Sequence, residues 1–203
     1  VNGERDVDIV ITTQELASMI REAGIVFNEL EQEALDMPFG LSSGAGIMFG
    51  VTGGVSEAVL RRCCGEKTVG SLKELEFCGV RGMAGVKEAC VKINGRDIKV
   101  AVVHGLKNAG ELIESIRRGE KVYDFVEVMA CAGGCIGGAG QPVPSSSSVK
   151  VQRAKGIYAA DRVSQIKRSE ENPMIIALYN GILNEKRNLM HVSSRNRSIR
   201  KEE

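Results

Sequence analysis

The chain has 203 residues, 43% of them hydrophobic and 26% charged, enough to bury one substantial core or two small ones, which excludes the disordered and fibrous classes. Its 27 Lys and Arg against 26 Asp and Glu leave a formal net charge of +1, so no field draws in nucleic acid or an anionic membrane. No apolar run approaches the ~20 residues that span a bilayer, and residues 1–7 are too charged for a signal peptide. A cytoplasmic location is expected, with neither nucleic acid nor a membrane as partner.

In chain order, Val7, Ile9 and Ile11 lie in a β-branched run that predicts a strand. Thr12, with Glu15 three residues on, gives a capping-box signature for a helix through Leu16, Met19 and Ile20 that stops at Gly24. Residues 28–36 are acidic and weakly patterned, a surface connection leading to Met37-Pro38. A glycine-rich segment follows over 40–54, after which Ser56, Glu57, Ala58 and Leu60 suit the first turn of a helix with Arg61 and Arg62 on its solvent face. Ala89, Val91 and Ile93 alternate up to Asn94-Gly95, and Ile98, Val100 and Val102 alternate after it, which predicts a hairpin closed by a type I′ turn. Residues 106–118 place Ala109, Leu112, Ile113 and Ile116 on one helical face and end at Gly119, a suitable left-handed terminator. Tyr123, Phe125, Val126, Val128 and Met129 make a strand that runs into a second glycine segment, 133–140, and a strand leading into a loop is where open α/β sheets place their chemistry. Residues 145–148, all Ser, read as a linker, and 153–167 as strand or turn followed by a short helix. Asn172-Pro173 caps a helix over 174–183 with the stripe Ile175, Leu178, Tyr179 and Ile182. The body of the chain is thus expected over 1–183, with a basic, polar tail over 184–203.

Six cysteines accompany only two histidines, His104 and His191, so sulfur is the available soft ligand. Cys131 and Cys135, with three residues between them, sit on a loop whose glycines let the backbone pass close to a bulky inorganic ligand. Taken alone, the pair is equally consistent with a surface disulfide, two inert buried thiols, a structural zinc site or a redox-active disulfide. Neither phosphate-binding glycine pattern, G-x-x-x-x-G-K-[ST] nor G-x-G-x-x-G, is matched, so no nucleotide is expected. Glu127 is a candidate proton carrier if no bulge separates it from Met129 on the strand. His104 is expected to be a hydrogen-bonded residue at a strand end.

The whole string over 129–142, MACAGGCIGGAGQP, resembles the C-terminal cluster-binding motif of the iron-only (di-iron) hydrogenases, with Ala139 where many members carry glycine. Pro38-Phe39-Gly40 and the run SSGAGIMFGVTGGVSEAVLRR over 42–62 are similar to another stretch of that family, and shorter pieces agree, among them Thr12-Thr13-Gln14-Glu15-Leu16, Val80-Arg81-Gly82 and Arg153-Ala154-Lys155-Gly156-Ile157-Tyr158. The resemblance covers about residues 6–183. It implies an α/β fold of mostly parallel sheets flanked by helices plus a β-hairpin, forming part of the family's catalytic domain. It also implies a cofactor: a 4Fe–4S cluster joined through a cysteine sulfur to a di-iron subsite, the H-cluster, where protons and electrons combine to H2.

Residue by residue, Cys131 matches the cysteine that ligates the cube and Cys135 the one whose sulfur bridges cube and di-iron unit. Met129 matches a methionine against the di-iron subsite, and Phe49 and Gly50 match residues lining the pocket from the opposite side. Gly46 and Gly134 join these as cofactor-binding residues, with Cys135, Met129 and Phe49 as the catalytic set and an apolar wall excluding water. A cube takes four ligands, and the two family segments that supply the other cysteines do not occur here. Cys63 and Cys64 are adjacent, so on a helix their side chains diverge by about 100°, and Cys78 and Cys90 are expected in the core. Because residue 1 is Val and the retained motifs are intact, the chain is expected to be a piece of a longer protein, inactive alone. The resemblance implies as partners the upstream part of the same polypeptide, ferredoxin or a similar electron carrier, and H-cluster maturation proteins. The alternatives are a non-catalytic iron–sulfur assembly protein of the nuclear prelamin A recognition factor-like type and a sensory hydrogenase-like protein. Phe49 with the GVTGGV run argues against the first.

Overall fold

The computed structural model describes residues 7–31, 33, 41–63, 79–93, 95–181 and 183–184. Strands β1 (Val86–Ile93) and β2 (Arg96–His104) form the hairpin that the alternation predicts, paired antiparallel with Ala89 opposite Val100 and Val91 opposite Ile98. Gly95 takes the turn at φ +79°, whereas Asn94, its other half, lies outside the described residues. Helix α1 (Leu106–Arg117) then crosses over to β2's other neighbour, β2 (96–104) and the following strand, β3 (Phe125–Met129), being paired in parallel.

The described sheet is therefore mixed, in the order β1-β2-β3, and the expectation of mostly parallel strands is corrected. A two-residue turn can only return the chain antiparallel, and among the described residues one helical crossover supplies one parallel pair. Alternation sends Val100 and Val102 to one face with Leu60 and Val80, and Ala101 and Val103 to the other, against Ala109 and Leu112 of α1. With both faces covered, β2 reads as a near-continuous apolar run.

The remaining helices are α2 (Thr13–Glu22), α3 (Gly44–Met48), α4 (Gly54–Cys63), α5 (Ser147–Val163) and α6 (Pro173–Asn180). The capping box of α2 forms as read: Thr12 Oγ1 accepts from Glu15 N at 3.2 Å, and the Glu15 carboxylate accepts from Thr12 N at 2.6 Å. Asn172 Oδ1 caps α6 by accepting from Met174 N at 3.0 Å, although that helix stops at Asn180, short of the expected 183. The strand expected over 7–11 is absent: these residues pair with no described strand, and Ile9 is 80% exposed. Short helix α3, inside the first glycine segment, was not expected; Ser43 Oγ caps it by accepting from Gly46 N at 3.1 Å.

The serine run is not a linker. Ser146 Oγ accepts from Val149 N at 3.3 Å, a cap that starts α5 within the run, and one 17-residue helix replaces the expected strand or turn and short helix. Cys90 is exposed, not core: it pairs with Lys99, on the face opposite the one that buries Val91. The connection over 34–36, Met37-Pro38, Cys64, Cys78, Ile182 and the tail from 185 lie outside the described residues. Among the described residues, no helix is long and apolar enough to cross a membrane.

Arg61 also departs from expectation. It is 2% exposed and not on a solvent face, because α3 packs against both α4 and α5 and brings Asp161 onto that side. Its guanidinium donates to both Asp161 carboxylate oxygens, at 2.7 and 2.8 Å, and to Glu57, which also accepts from Arg81 Nε at 2.7 Å. Burial pushes the Asp161 carboxyl up, but Arg61, with Lys167 and Arg81, outweighs it and holds the group below its ordinary range. Removing one partner from such a buried set strands the others' charge. Asp161→Ala is expected to lower the unfolding free energy in a urea titration by about 3–5 kcal/mol. Glu120→Ala, which removes an exposed partner of Arg118, should leave the midpoint close to that of the wild type.

Candidate functional site

β3 delivers the chain into the cysteine loop, and the first glycine segment receives it. Thr52 N donates to Gly133 O at 3.1 Å, and Ile136 N donates to Gly50 O at 3.0 Å, so the loop is held by main chain on both sides of Gly134. That approach requires glycine. Gly134 has φ +90°, and a Cβ there would lie 2.8 Å from Thr52 N and 3.0 Å from both Val51 C and Met129 Sδ. Arg153, from α5, ties down the far side, donating from Nη1 to Ile136 O at 2.9 Å and from Nη2 to Pro142 O at 2.6 Å. Ile136 turns inward against Val51 and Ala154, whereas Cys131 and Cys135, which precede it, are exposed and free of any disulfide.

Of the residues singled out in the sequence, Cys131, Cys135, Gly134 and Met129 lie in or against this loop, and Gly50 is hydrogen-bonded to it. Cys135 and Gly50 line one groove of about 480 Å³, together with Ile157 and Arg153. Gly46 and Phe49, on and just after α3, are exposed, Phe49 by 50%, and make no described contact with either thiol. The expected dry apolar wall is therefore not formed by the described residues: Phe49 faces solvent, and both thiols sit at the surface.

The donor set tests which cofactor the loop suits. Two unbonded, exposed thiols on a glycine loop suit a thiophilic metal group, and they supply half of the four ligands a cube requires. Among the described residues, no group of three or more His, Cys, Asp or Glu side chains could hold a metal.

Two buried charges flank the site. Glu127 shares Met129's face, because the β2–β3 register runs without a bulge. Its carboxylate is engaged by main chain: Oε1 accepts from Gly53 N at 2.7 Å and Oε2 from Ser56 N at 2.6 Å. Sequence reasoning did not single out Lys87, which is 8% exposed and donates from Nζ to the carbonyls of Val80 (2.6 Å), Gly82 (2.9 Å) and Thr52 (3.2 Å). The available signal was parity, for Lys87 continues the inward series of Ala89, Val91 and Ile93. Burial pushes the Lys87 ammonium down to about 8, with Glu127 opposing. His104 ends β2 as expected, with Nε2 3.2 Å from Met83 O.

The family described as "Iron only hydrogenase large subunit, C-terminal domain" matches residues 1–139, and "Iron hydrogenase small subunit" matches 147–196. The chain is 47% identical over 184 residues to the NADP-reducing hydrogenase subunit HndD of Solidesulfovibrio fructosivorans, covering 90% of this chain and 31% of that protein. It is 30% identical over 184 residues to cytosolic iron-sulfur assembly component 3 of Mus musculus, covering 86% of this chain and 37% of that one. The solved FeFe-hydrogenase structure HydA(deltaEFG) superposes with a TM-score of 0.63 at 34% identity, over 90% of this chain and 53% of that one. The chain thus spans about a third of the length of the curated relatives it matches.

Two outcomes follow from this geometry. Gly134→Ala is expected to cost at least about 2 kcal/mol by urea titration, whereas Gly156→Ala, on α5 with open space around it, should stabilise by about 0.5–1 kcal/mol. For Lys87, the folded chain releases the proton near pH 8 and the unfolded chain near 10.5, so between these values the unfolded chain binds more protons. The cost of burying the charge is full below pH 8 and is relieved as pH rises toward 10.5. The unfolding free energy of the wild type relative to Lys87→Met should therefore rise across that window, by up to about 3 kcal/mol.

Proposed function

The chain belongs to the iron-only hydrogenase family, and on that premise we propose that it is the C-terminal part of a catalytic domain that forms H2 reversibly from protons and electrons at an H-cluster. The observation that carries this reading is the pair of exposed, unbonded thiols, Cys131 and Cys135, on a loop clasped by the first glycine segment. Cys131 and Cys135 would hold this group, Cys131 at the 4Fe–4S cube and Cys135 where the cube meets the di-iron unit. When bound, that group supplies electron transfer and an iron position at which protons are reduced.

This chain's own residues bind and orient. Ile136, sunk into the core directly after Cys135 and tied by its N–H to Gly50 and by its carbonyl to Arg153, fixes the direction in which the Cys135 thiol points. Met129, packed against Gly134, supplies a soft, polarizable side chain at the base of the loop. Phe49 and Gly46 complete the pocket once the rest of the domain covers them. The two remaining cube ligands come from the part of the family's sequence that this chain does not span, and the whole protein takes electrons from ferredoxin or a similar carrier. The non-catalytic assembly reading is the weaker one, because identity to the assembly component is 30% against 47% to the hydrogenase subunit.

Anaerobic reconstitution with iron and sulfide tests the proposal. The wild-type chain is expected to bind iron and acid-labile sulfide, with Cys131→Ala and Cys135→Ala each losing most of both, and to evolve no H2 from reduced methyl viologen. In the complete protein, Cys135→Ala should abolish di-iron attachment, and Cys131→Ala should mainly harm the cube. Zinc in place of iron, a reversible Cys131–Cys135 bond, or iron retained undiminished in both variants would overturn the assignment of ligands. Viologen-linked H2 evolution by the chain alone would show that ligands from beyond it are dispensable.

A further inference from the structure

Lys87, Val102 and Glu127 are direct neighbours across the three strands: Lys87 pairs with Val102, and Val102 pairs with Glu127. Paired residues point to the same face, so a lysine and a carboxylate flank a buried valine in one row. Lys87 is 8% exposed, Glu127 5% and Val102 1%. Both charges spend their hydrogen bonds on the main chain of one short segment. Lys87 Nζ donates to Thr52 O, and the Glu127 carboxylate accepts from Gly53 N and Ser56 N, so three polar groups within five residues are gripped from β1 and β3. Lys87 also reaches Val80 O and Gly82 O, binding that stretch to the same point. Gly53 fits there only as glycine, since a Cβ would lie 1.9 Å from Val80 O.

The gripped segment is the one that holds the cysteine loop. Thr52 turns its carbonyl toward Lys87 and its N–H toward Gly133 O, and two residues back Gly50 O accepts from Ile136 N, beside Cys135. We propose that Lys87 and Glu127 are paired positioning residues, a charged clamp on the sheet that sets the Gly50–Ser56 segment and through it the cysteine loop.

Two features favour a clamp over ordinary burial of charge. Neither side chain has its charge spent on a directly hydrogen-bonded counter-ion: every hydrogen bond described for the two runs to backbone, so what they stabilise is a main-chain path. Their opposite signs also match the opposite polarity of what each holds, carbonyls for the ammonium and N–H groups at the start of α4 for the carboxylate. The consequence for chemistry at the thiols rests on the cluster reading given above. The clamp itself does not, and it is testable without any metal.

Amide hydrogen exchange on the metal-free 203-residue chain gives the test. In the wild type, the amides of Thr52, Gly53, Ser56 and Ile136 are expected to open together as one unit as urea is raised within the native range. In Lys87→Met and in Glu127→Gln, the Thr52 and Ile136 amides are expected to exchange at least about tenfold faster than in the wild type, after normalisation to the α1 amides Ala109 and Leu112. The double variant should show less than the product of the two single effects, because either change releases the same segment. Alkylation of Cys135 relative to Cys90 should shift in the same variants. A merely structural role would accelerate the α1 amides equally and leave the ratio of thiol rates unchanged. Thr52 and Ile136 amides that open independently of Gly53 and Ser56 in the wild type overturn the clamp, whether or not the variants fold. A clamp that stands while iron fails to bind would count against the cluster reading alone.

Discussion

The structure depends on one close approach. The main chain of residues 50–52 runs directly against that of residues 133–136, and two backbone hydrogen bonds hold it there, Thr52 N to Gly133 O and Ile136 N to Gly50 O. Such a contact resembles a fragment of sheet made by two loops, and loops make it only where side chains do not intervene. Gly134 supplies that gap: a methyl group would collide with Thr52 N, Val51 C and Met129 Sδ at once. The glycine content of the chain is thus a steric condition for bringing one loop within hydrogen-bonding distance of another, at a conformational cost that the surrounding elements must offset.

Those elements do so with buried charge as well as with hydrocarbon. The apolar clusters on the two faces of the sheet are small, built on Val100 and Val102 on one side and Ala101 and Val103 on the other. Around them lie Arg61, Glu57, Asp161, Lys87 and Glu127, all nearly out of solvent. A buried ion pair is weak evidence for stability, because desolvation cancels much of its attraction. Its strength is directional: Arg61 accommodates only carboxylates placed as those of Asp161 and Glu57 are, and Glu127 only the N–H groups at the start of α4. Charged groups therefore fix where the helices and the glycine segments sit, while the valines supply the driving force to collapse.

How far the sequence revealed this depends on the range of each interaction. Short-range signals were legible. The hairpin, the Thr12 and Asn172 caps, the ends of α1 and α2, and the strand running into the cysteine loop all follow from residues within a few positions of one another. Long-range ones were not. Arg61 looked solvated because the partner that buries it beside Glu57, Asp161, lies 100 residues away, and the serine run looked like a linker because the helix it caps carries a weak apolar stripe. Residues 7–11 have strand composition, but a strand also needs a neighbour, and no described strand provides one. At the site, the cysteines and their glycines were legible as a motif, and Met129 and Gly50 fall beside them. Phe49 does not, since whatever would cover it is not among the described residues.

The burial gradient across the loop connects these observations. Ile136 is 7% exposed, yet the cysteine immediately before it stands at the surface, and a single peptide unit separates hydrocarbon core from free thiol. A thiol placed in this way keeps its rotamer and direction because its neighbour cannot move without opening the core, and it remains accessible because nothing described lies over it. Precision of a ligand comes from the rigidity of what supports it rather than from contacts to the ligand itself. Here the support is traceable through named atoms, from β1 and β3 to the Gly50–Ser56 segment, from that segment to Gly133 and Ile136, and from Ile136 through Arg153 to α5. A loop of small residues, flexible by composition, is thereby held on three sides, and the two sulfurs it carries are left as its outward-facing chemistry.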